Sequence, residues 1–419
     1  MSEAGFKSIV MTTFARLNRV NKGLHRHLVK TGGTSLLDPG AEELLAVIGE
    51  DSDDSITEIT HFFQQNNLLA LSIAAADRIF VRRAEAGTVP SPTRILHQLR
   101  RYESLGLFEA VERLAKHYGE RRPHPALDLL LARMLVDRGA YDAALAVIAR
   151  GGQDEEWASL LKRIEAERPL VESERSGPGR SYDVAVVNLV QDYARRDMSL
   201  AAMRRGGLDF RIVPAIRVDE IPASDQGLFR KPLRRLEDGS FGNQATQYRI
   251  WRKAADEGAD LTAVFEDDTC ASMALEPFLR HAPIPEDAEI IFFNNRLCGE
   301  SDRLTVRPIG EALADTSRRH PGLRAPGADG YILSRSGAEK LARIVKIEKF
   351  HSPGTDWYIL AHSIRREELA LLNPDSVLFQ ALNTRCHGAE FADIVLNGYM
   401  TSLPLGYNRP LGAARFNRV

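Results

Sequence analysis

Apolar positions change their spacing near residue 170. Before it they recur at three- and four-residue intervals, the period of an amphipathic helix. After it they collect in short β-branched runs separated by polar turns. The pattern predicts an all-α region over 1–168 and a polar linker over 169–181, marked by Pro169, Gly177, Pro178 and Gly179. An α/β domain over 182–419 follows.

The helical region opens with Phe6, Ile9, Val10, Phe14, Leu17, Leu24 and Leu28 near helical spacing, interleaved with Lys7, Arg16, Arg19, Lys22, Arg26 and Lys30. A basic amphipathic helix of this kind suits an anionic membrane surface, or the face of its own domain with its charges in water. Globular helices share the pattern, so packing on the domain is the preferred reading. Asp38 and Pro39 then supply helix-start chemistry. Further on, Gly106-Leu107-Phe108-Glu109-Ala110 recurs as Gly139-Ala140-Tyr141-Asp142-Ala143, a period of 33 residues. Glycine permits a tight turn, the aromatic fills the gap between two helices, and alanine lets them approach. A weaker copy precedes these in FFQQNNLLALSIAAADRIF. The pattern resembles degenerate tetratricopeptide-like repeats, and a plain helical bundle fits it equally. Either form would give a protein partner a docking surface or act as a rigid spacer.

In the second region YDVAVVNLV reads as a buried strand, ARRDMSLAAMRRGG as a helix stopped by Gly206 and Gly207, and DFRIVPAI as another strand. This is a βαβ unit, the start of an open sheet. Its first turn, Asn188 to Arg196, falls at the carboxyl edge, where such sheets bind ligands. The sequence holds no glycine-rich phosphate loop. A nucleotide would therefore be held by side chains, helix-end amides or a metal. Gly242 next predicts the start of a helix with Tyr248, Ile250, Trp251 and Ala254 facing inward, ending at Gly258. Leu261 to Phe265 is the following strand.

That strand runs straight into Glu266, Asp267 and Asp268. If the backbone stays extended, Glu266 and Asp268 share one side and Asp267 faces the other. Two carboxylates at that spacing suit a hard divalent cation, Mn2+ or Mg2+, with water and phosphate oxygens completing its shell.

Composition narrows the classes. The chain has 419 residues, 44% hydrophobic and 27% charged, and a formal net charge of −2. No global basic field argues for a nucleic-acid partner. The three cysteines, Cys270, Cys298 and Cys386, are too widely spaced for a disulfide framework or a metal knuckle, which fits a reducing compartment. No apolar run spans a bilayer, and the N-terminus lacks a signal-type apolar core. The expected location is the cytoplasm, with peripheral contact at the inner face of the membrane if the first helix touches lipid.

Several segments, in order, resemble glycosyltransferase family 25, which includes bacterial lipooligosaccharide galactosyltransferases and relatives of collagen galactosyltransferases. VAVVNLVQDYARRDMSLAAMRRGGLDFRIVPAI is similar to the family's opening, and FGNQATQYRIWRKAADEGADLTAVFEDDT to its next block. GADGYILSRSGAEKLARI, PGTDWYI and NPDSVLFQ resemble the blocks that follow. The resemblance spans about residues 182–387 and leaves the helical region outside it.

The resemblance implies a GT-A-type mixed sheet flanked by helices and a role in lipopolysaccharide-type glycan biosynthesis. It implies a UDP-hexose donor, with Mn2+ or Mg2+ bridging the diphosphate to the acidic motif. Acceptors would be a glycan, a lipid-linked glycan or a protein. Asn188, Arg195 and Arg196 match the family's nucleotide region, joined as donor contacts by Asp267, Gly330 and Tyr331. Glu266 and Asp268 match the metal motif. Asp356 matches a late carboxylate, a candidate base for the acceptor hydroxyl. Inversion in one displacement is the implied mechanism. The family's Ser-His pair is replaced by Thr246 and Gln247, and glutamine cannot titrate. Asn294 and Asn295 are candidates to reach sugar hydroxyls.

Duller roles stand beside these. Arg195 and Arg196 fit solvated helix charges, Trp251 fits core packing, and Tyr331 fits either core or a sugar-stacking face. Asp356 suits an N-cap for a helix beginning at Trp357. Gly330 suits a packing demand, and His351 and His387 suit ordinary surface or core positions rather than extra metal ligands. Two other function classes also fit the chain. One is a helical-repeat scaffold carrying an inactive transferase-like domain. The other is a metal-dependent nucleotidyltransferase, which would need a basic glycine-rich loop.

Overall fold

The computed structural model describes residues 17–30, 53–65, 68–152, 154–173, 179–230, 238–294, 303–322, 330–350, 354–386 and 395–408. They cluster into two compact units. One holds the described residues up to Val136 with Ala140–Leu160, and the other holds Asp137–Gly139 with those from Leu161 onward.

The first unit is all helix: α1 (residues 17–30), α2 (Asp53–Gln65), α3 (Leu69–Glu85), α4 (Pro92–Ser104), α5 (Phe108–Arg121), α6 (Pro125–Asp137) and α7 (Tyr141–Ile148). Leu24 and Leu28 of α1 are buried, and Asn21 Oδ1 accepts from the Leu71 amide of α3 at 3.1 Å. Arg19, Lys22, Arg26 and Lys30 are exposed. The described part of the basic helix thus packs on its own domain with its charges outward; residues 1–16 and the Asp38–Pro39 start lie outside the described residues. Ser91 accepts from the Arg94 amide and Pro92 occupies the first turn, which fixes the start of α4. The 33-residue repeat reappears as geometry. Gly106 and Gly139 take φ of 74° and 73°, the left-handed turn that glycine adopts without strain, and Phe108 and Tyr141 are buried behind them. The alanine correspondence slips by one position: Ala110 is buried, Ala143 is exposed, and Ala144 takes the inner place.

Inside this unit Asp77 is buried with two donors. Gln98 Nε2 reaches Oδ1 at 2.6 Å and the Tyr102 hydroxyl reaches Oδ2 at 2.8 Å. Burial pushes the carboxyl up to about 7, against those two hydrogen bonds and the charge of Arg101.

Helix α8 (Glu155–Glu172) runs through Pro169, so the polar linker does not begin there. Leu170 and Val171 pack against an apolar cluster of the α/β domain, and that burial carries the helix past its proline. Residues 174–178 lie outside the described residues.

The α/β domain is built on β1 (Tyr182–Asn188), β2 (Arg211–Pro214), β3 (Leu261–Glu266), β4 (Thr269–Ala271), β5 (Ile290–Phe292), β6 (Val306–Pro308), β7 (Gly330–Ser334), β8 (Gly398–Thr401) and β9 (Gly406–Asn408). Among the described residues, seven strands form one mixed sheet in the order β2-β1-β3-β7-β5-β8-β6. β1 runs parallel to β2 and β3, β7 is antiparallel to β3 and β5, β5 and β8 are parallel, and β6 is antiparallel to β8. β4 and β9 make a separate antiparallel pair. The helices that position the site are α9 (Tyr193–Arg205), α11 (Asp238–Glu257) and α15 (Thr355–Ala361), with α10 (Ala223–Gln226), α12 (Leu275–His281), α13 (Ile309–Arg319) and α14 (Arg335–Glu348) between them in the chain.

Both faces of the sheet are covered. Val264, Tyr331 and Leu333 enter a core with Trp251, Leu341 and Phe350, whereas Ala263, Phe265 and Ile332 enter another with Leu275, Phe278 and Phe293. Alternate residues of one strand therefore serve opposite cores, which is why β1 and β3 read as continuous apolar runs. Each fully buried Val, Leu or Phe contributes roughly 1.5–3 kcal/mol. The domain is thus a mixed α/β fold preceded by helices, and no helix among the described residues is long and apolar enough to cross a membrane.

Candidate active site

β1 lies between β2 and β3, so the chain leaves β1 to one side and returns on the other. This is a topological switch point, where the carboxyl ends of the strands open a crevice. Val187 pairs in register with Glu266, which brings Asn188 beside Asp267 one step further out. Asn188 Nδ2 donates to Asp267 Oδ2 at 2.8 Å and to the Asp192 carbonyl at 3.3 Å. From the first turn of α9, Arg195 Nη1 donates to Asp267 Oδ1 at 3.2 Å.

Asp267 and Asp268 are 6% and 7% exposed. Burial pushes the Asp267 carboxyl up to about 6, although Arg195 and Asn188 pull it down and Asp268 and Asp192 add to the rise. Asp192 is the N-cap residue of α9, yet its side chain does not cap the helix. Its Oδ2 instead lies 3.7 Å from Arg195 Nε.

The carboxylates do not divide as an extended backbone predicts. β3 stops at Glu266, and Asp267 and Asp268 form the turn into β4. β4 is held against β9, with Thr269 opposite Asn408. Strand alternation therefore ends at Glu266. Arg195 Nη1 stands 3.8 Å from Asp268 Oδ2 as well, so Asp267 and Asp268 share one guanidinium. Glu266 turns elsewhere, accepting from Asn243 Nδ2 of α11 at 2.8 Å.

Asn243 also joins this edge to the late carboxylate. Its Oδ1 accepts from Thr355 Oγ1 at 2.9 Å, and Ser240 Oγ accepts from the Gly354 amide at 2.7 Å. Gly354, not Asp356, is the N-cap of α15, and Asp356 sits half-buried in the first helical turn. The capping role at Trp357 is therefore corrected: the helix starts two residues earlier than that reading requires. The structure brings together Asn188, Arg195, Asp267 and Asp268 directly, and links Glu266 to the Asp356 segment through Asn243.

Other expected residues lie elsewhere. Arg196 pairs with its neighbour Asp197, Nε to Oδ1 at 3.1 Å, rather than with the acidic turn. Tyr331 is a correction. Its ring is wholly buried, it receives a bond from Trp251 Nε1 at 2.8 Å, and its hydroxyl donates to Gln247 Oε1 at 2.5 Å, so it offers no face to a sugar. Gly330 meets a packing demand: a Cβ there would lie 2.8 Å from the Phe293 ring. Asn294 is buried in a bridge with Gly406. His351, His387 and Asn295 lie outside the described residues. Sequence reasoning passed over Asn243 and Asp192, and took Thr355 only as N-cap chemistry beside Asp356. The signals available were an amide directly after Gly242, a hydroxyl directly before Asp356, and an Asp-x-x-Arg spacing at the start of α9.

The model of glycosyltransferase family 25, described as an LPS biosynthesis protein, matches residues 182–352. This segment is a glycosyltransferase family 25 domain. The match begins with β1 and includes the switch-point crevice, the acidic turn and α11, and it stops just before Gly354. A search of curated proteins gives no match for the chain.

Among the described residues, no three His, Cys, Asp or Glu side chains gather into a metal-binding group. Asp192, Asp267 and Asp268 each place a carboxylate oxygen 3.2–3.8 Å from the Arg195 guanidinium. A cation bound through one or two protein carboxylates takes its other ligands from phosphate and water, so three protein ligands are not required.

Proposed function

We propose that the family 25 domain moves a hexose, galactose or glucose, from a UDP-sugar to a glycan, a lipid-linked glycan or a protein. The observation that carries this reading is convergence at one crevice. The end of β1, the first turn of α9 and the acidic turn meet there, and Asn243 ties Glu266 to the turn bearing Asp356. Mn2+ or Mg2+ would be held at the acidic turn by Asp268, with Glu266 on the donor side of the crevice, and when bound would offset charge on the departing diphosphate. Arg195 keeps Asp267 and Asp268 at a fixed approach. Asp356 takes the proton of the acceptor hydroxyl as that oxygen attacks the anomeric carbon. The bond to UDP breaks in the same step, with inversion and no covalent intermediate.

The chain would work in the cytoplasm, with the exposed basic residues of α1 available for peripheral contact with the inner membrane face. The helical unit would carry a protein partner. The test is UDP release from UDP-galactose, UDP-glucose and UDP-N-acetylglucosamine, with and without Mn2+, over a panel of acceptors. Metal-stimulated release supports the reading. No binding and no release of any nucleotide sugar, with partner capture by the full chain intact, would instead favour a helical-repeat scaffold with an inactive domain.

A further inference from the structure

The transferase reading assigns Glu266 to the donor side of the site and Asp356 to the acceptor side. It says nothing of how the two are kept in step. We propose that Asn243 is a positioning residue that couples them, so that the acceptor base is aligned through the same amide that holds the donor carboxylate. This proposal rests on the transferase reading.

Three features carry it. First, Asn243 is bonded on both sides at once, to Glu266 Oε1 at 2.8 Å and from Thr355 Oγ1 at 2.9 Å. A carboxylate only accepts, so the amide nitrogen must face Glu266 and the amide oxygen must face Thr355. An amide is a short side chain that can donate to one neighbour while accepting from the other; aspartate in its place would repel Glu266. Second, the receiving end is stiff. Thr355 is buried, and the Gly354 amide is held by Ser240 Oγ at 2.7 Å, so α11 grips the turn at two points. Third, that turn sets the Asp356 carboxylate. Gly354 has φ of 95°, and a Cβ built on it would lie 2.9 Å from Asp356 Oδ1. The carboxylate is therefore folded back over the glycine, and its place follows from the place of residues 354–355. A shift of Glu266 on donor binding would pass through one side chain to the base.

The experiment compares Thr355→Val, Thr355→Ser, Asn243→Ala and the Asn243→Ala/Thr355→Val double variant in the full chain. Calorimetric UDP affinity, kcat at saturating UDP-sugar and thermal midpoint are measured for each. Thr355→Val is nearly isosteric and removes only the donor hydroxyl. We expect kcat to fall about tenfold, the loss of one well-placed hydrogen bond, with UDP affinity within about threefold. Thr355→Ser should restore kcat, and the double variant should be no slower than Asn243→Ala alone, because both changes cut the same link. Wild-type kcat in Thr355→Val, or losses that multiply in the double variant, would overturn the coupling while leaving the transferase reading in place. A wild-type chain that neither binds UDP nor releases it from any UDP-sugar would overturn both. A purely structural role for Thr355 would lower the thermal midpoint with kcat unchanged, and that also counts against the proposal.

Discussion

Arg195 lies 3.2 Å from Asp267, so the helix that follows the first strand is anchored to the turn that ends the third. Its guanidinium is 12% exposed and is the countercharge for a carboxylate that burial alone would neutralise. Arg195→Gln should therefore destabilise the α/β domain by about 3 kcal/mol, the usual consequence of removing one member of a buried ion pair. Arg195→Lys should recover only part of this, since an ammonium is a point charge that cannot span Asp267 and Asp268 as a planar fork does. Adding Asp267→Asn to Arg195→Gln should recover more. Denaturant midpoints of the four proteins check this, and an Arg195→Gln chain as stable as wild type would remove Arg195 from its structural role.

Asp268→Ala is expected to abolish the metal dependence of donor binding. UDP affinity measured with Mn2+ should fall at least about tenfold, to the value seen in chelator, because in the proposed function Asp268 would hold the cation that offsets the diphosphate charge. The far-UV spectrum should be unchanged. Donor affinity that survives the substitution would move the cation to other groups.

Asp356→Asn should separate chemistry from binding. A general base contributes about 10²–10⁴-fold to rate, so kcat should drop by at least about a hundredfold while UDP affinity stays within a few-fold. Steady-state kinetics beside UDP titrations read the two effects independently. A loss confined to donor affinity would take the proton-accepting role away from Asp356.

Asp77 predicts a pH dependence in the helical unit. Its folded carboxyl is raised to about 7 from an ordinary value of 3.8. The folded state therefore holds a proton that the unfolded chain releases between those values. Stability is fully present below about pH 4 and is lost as pH rises through about 7. The shift corresponds to an effect on the order of 4 kcal/mol. Asp77→Asn stays neutral, keeps an acceptor for Gln98, and can donate to the Tyr102 oxygen. The advantage of Asp77→Asn over wild type should thus grow from pH 4 to pH 8 in equilibrium denaturation. A difference that stays flat with pH would show that Asp77 is not protonated in the fold.

Much of this architecture is legible in local sequence, for identifiable reasons. β1 and β3 stand out because both faces are buried, so Val184 to Val187 and Leu261 to Phe265 carry no polar alternation beyond Thr262. The Gly106 and Gly139 turns stand out because a positive φ selects glycine. The site was harder to read. The side taken by each carboxylate after Glu266 is decided by β9, more than a hundred residues further on, which leaves no local trace. Tyr331 reads equally as core or as a sugar platform until Gln247 and Trp251, 84 and 80 residues away, claim its hydroxyl. Nothing local marks Asn243, because its partner Thr355 is 112 residues distant. Pro169 reads as a break because the burial of Leu170 and Val171 is a tertiary fact.

β8 enters the sheet between β5 and β6, and β9 backs β4 beside the acidic turn, yet both lie past residue 352, where the family match stops. A polypeptide cut at that boundary would carry a missing rung inside the sheet rather than a ragged margin. During synthesis the crevice would thus stay unfinished until residues 398–408 had emerged from the ribosome, because the strands that complete the sheet and back β4 lie there.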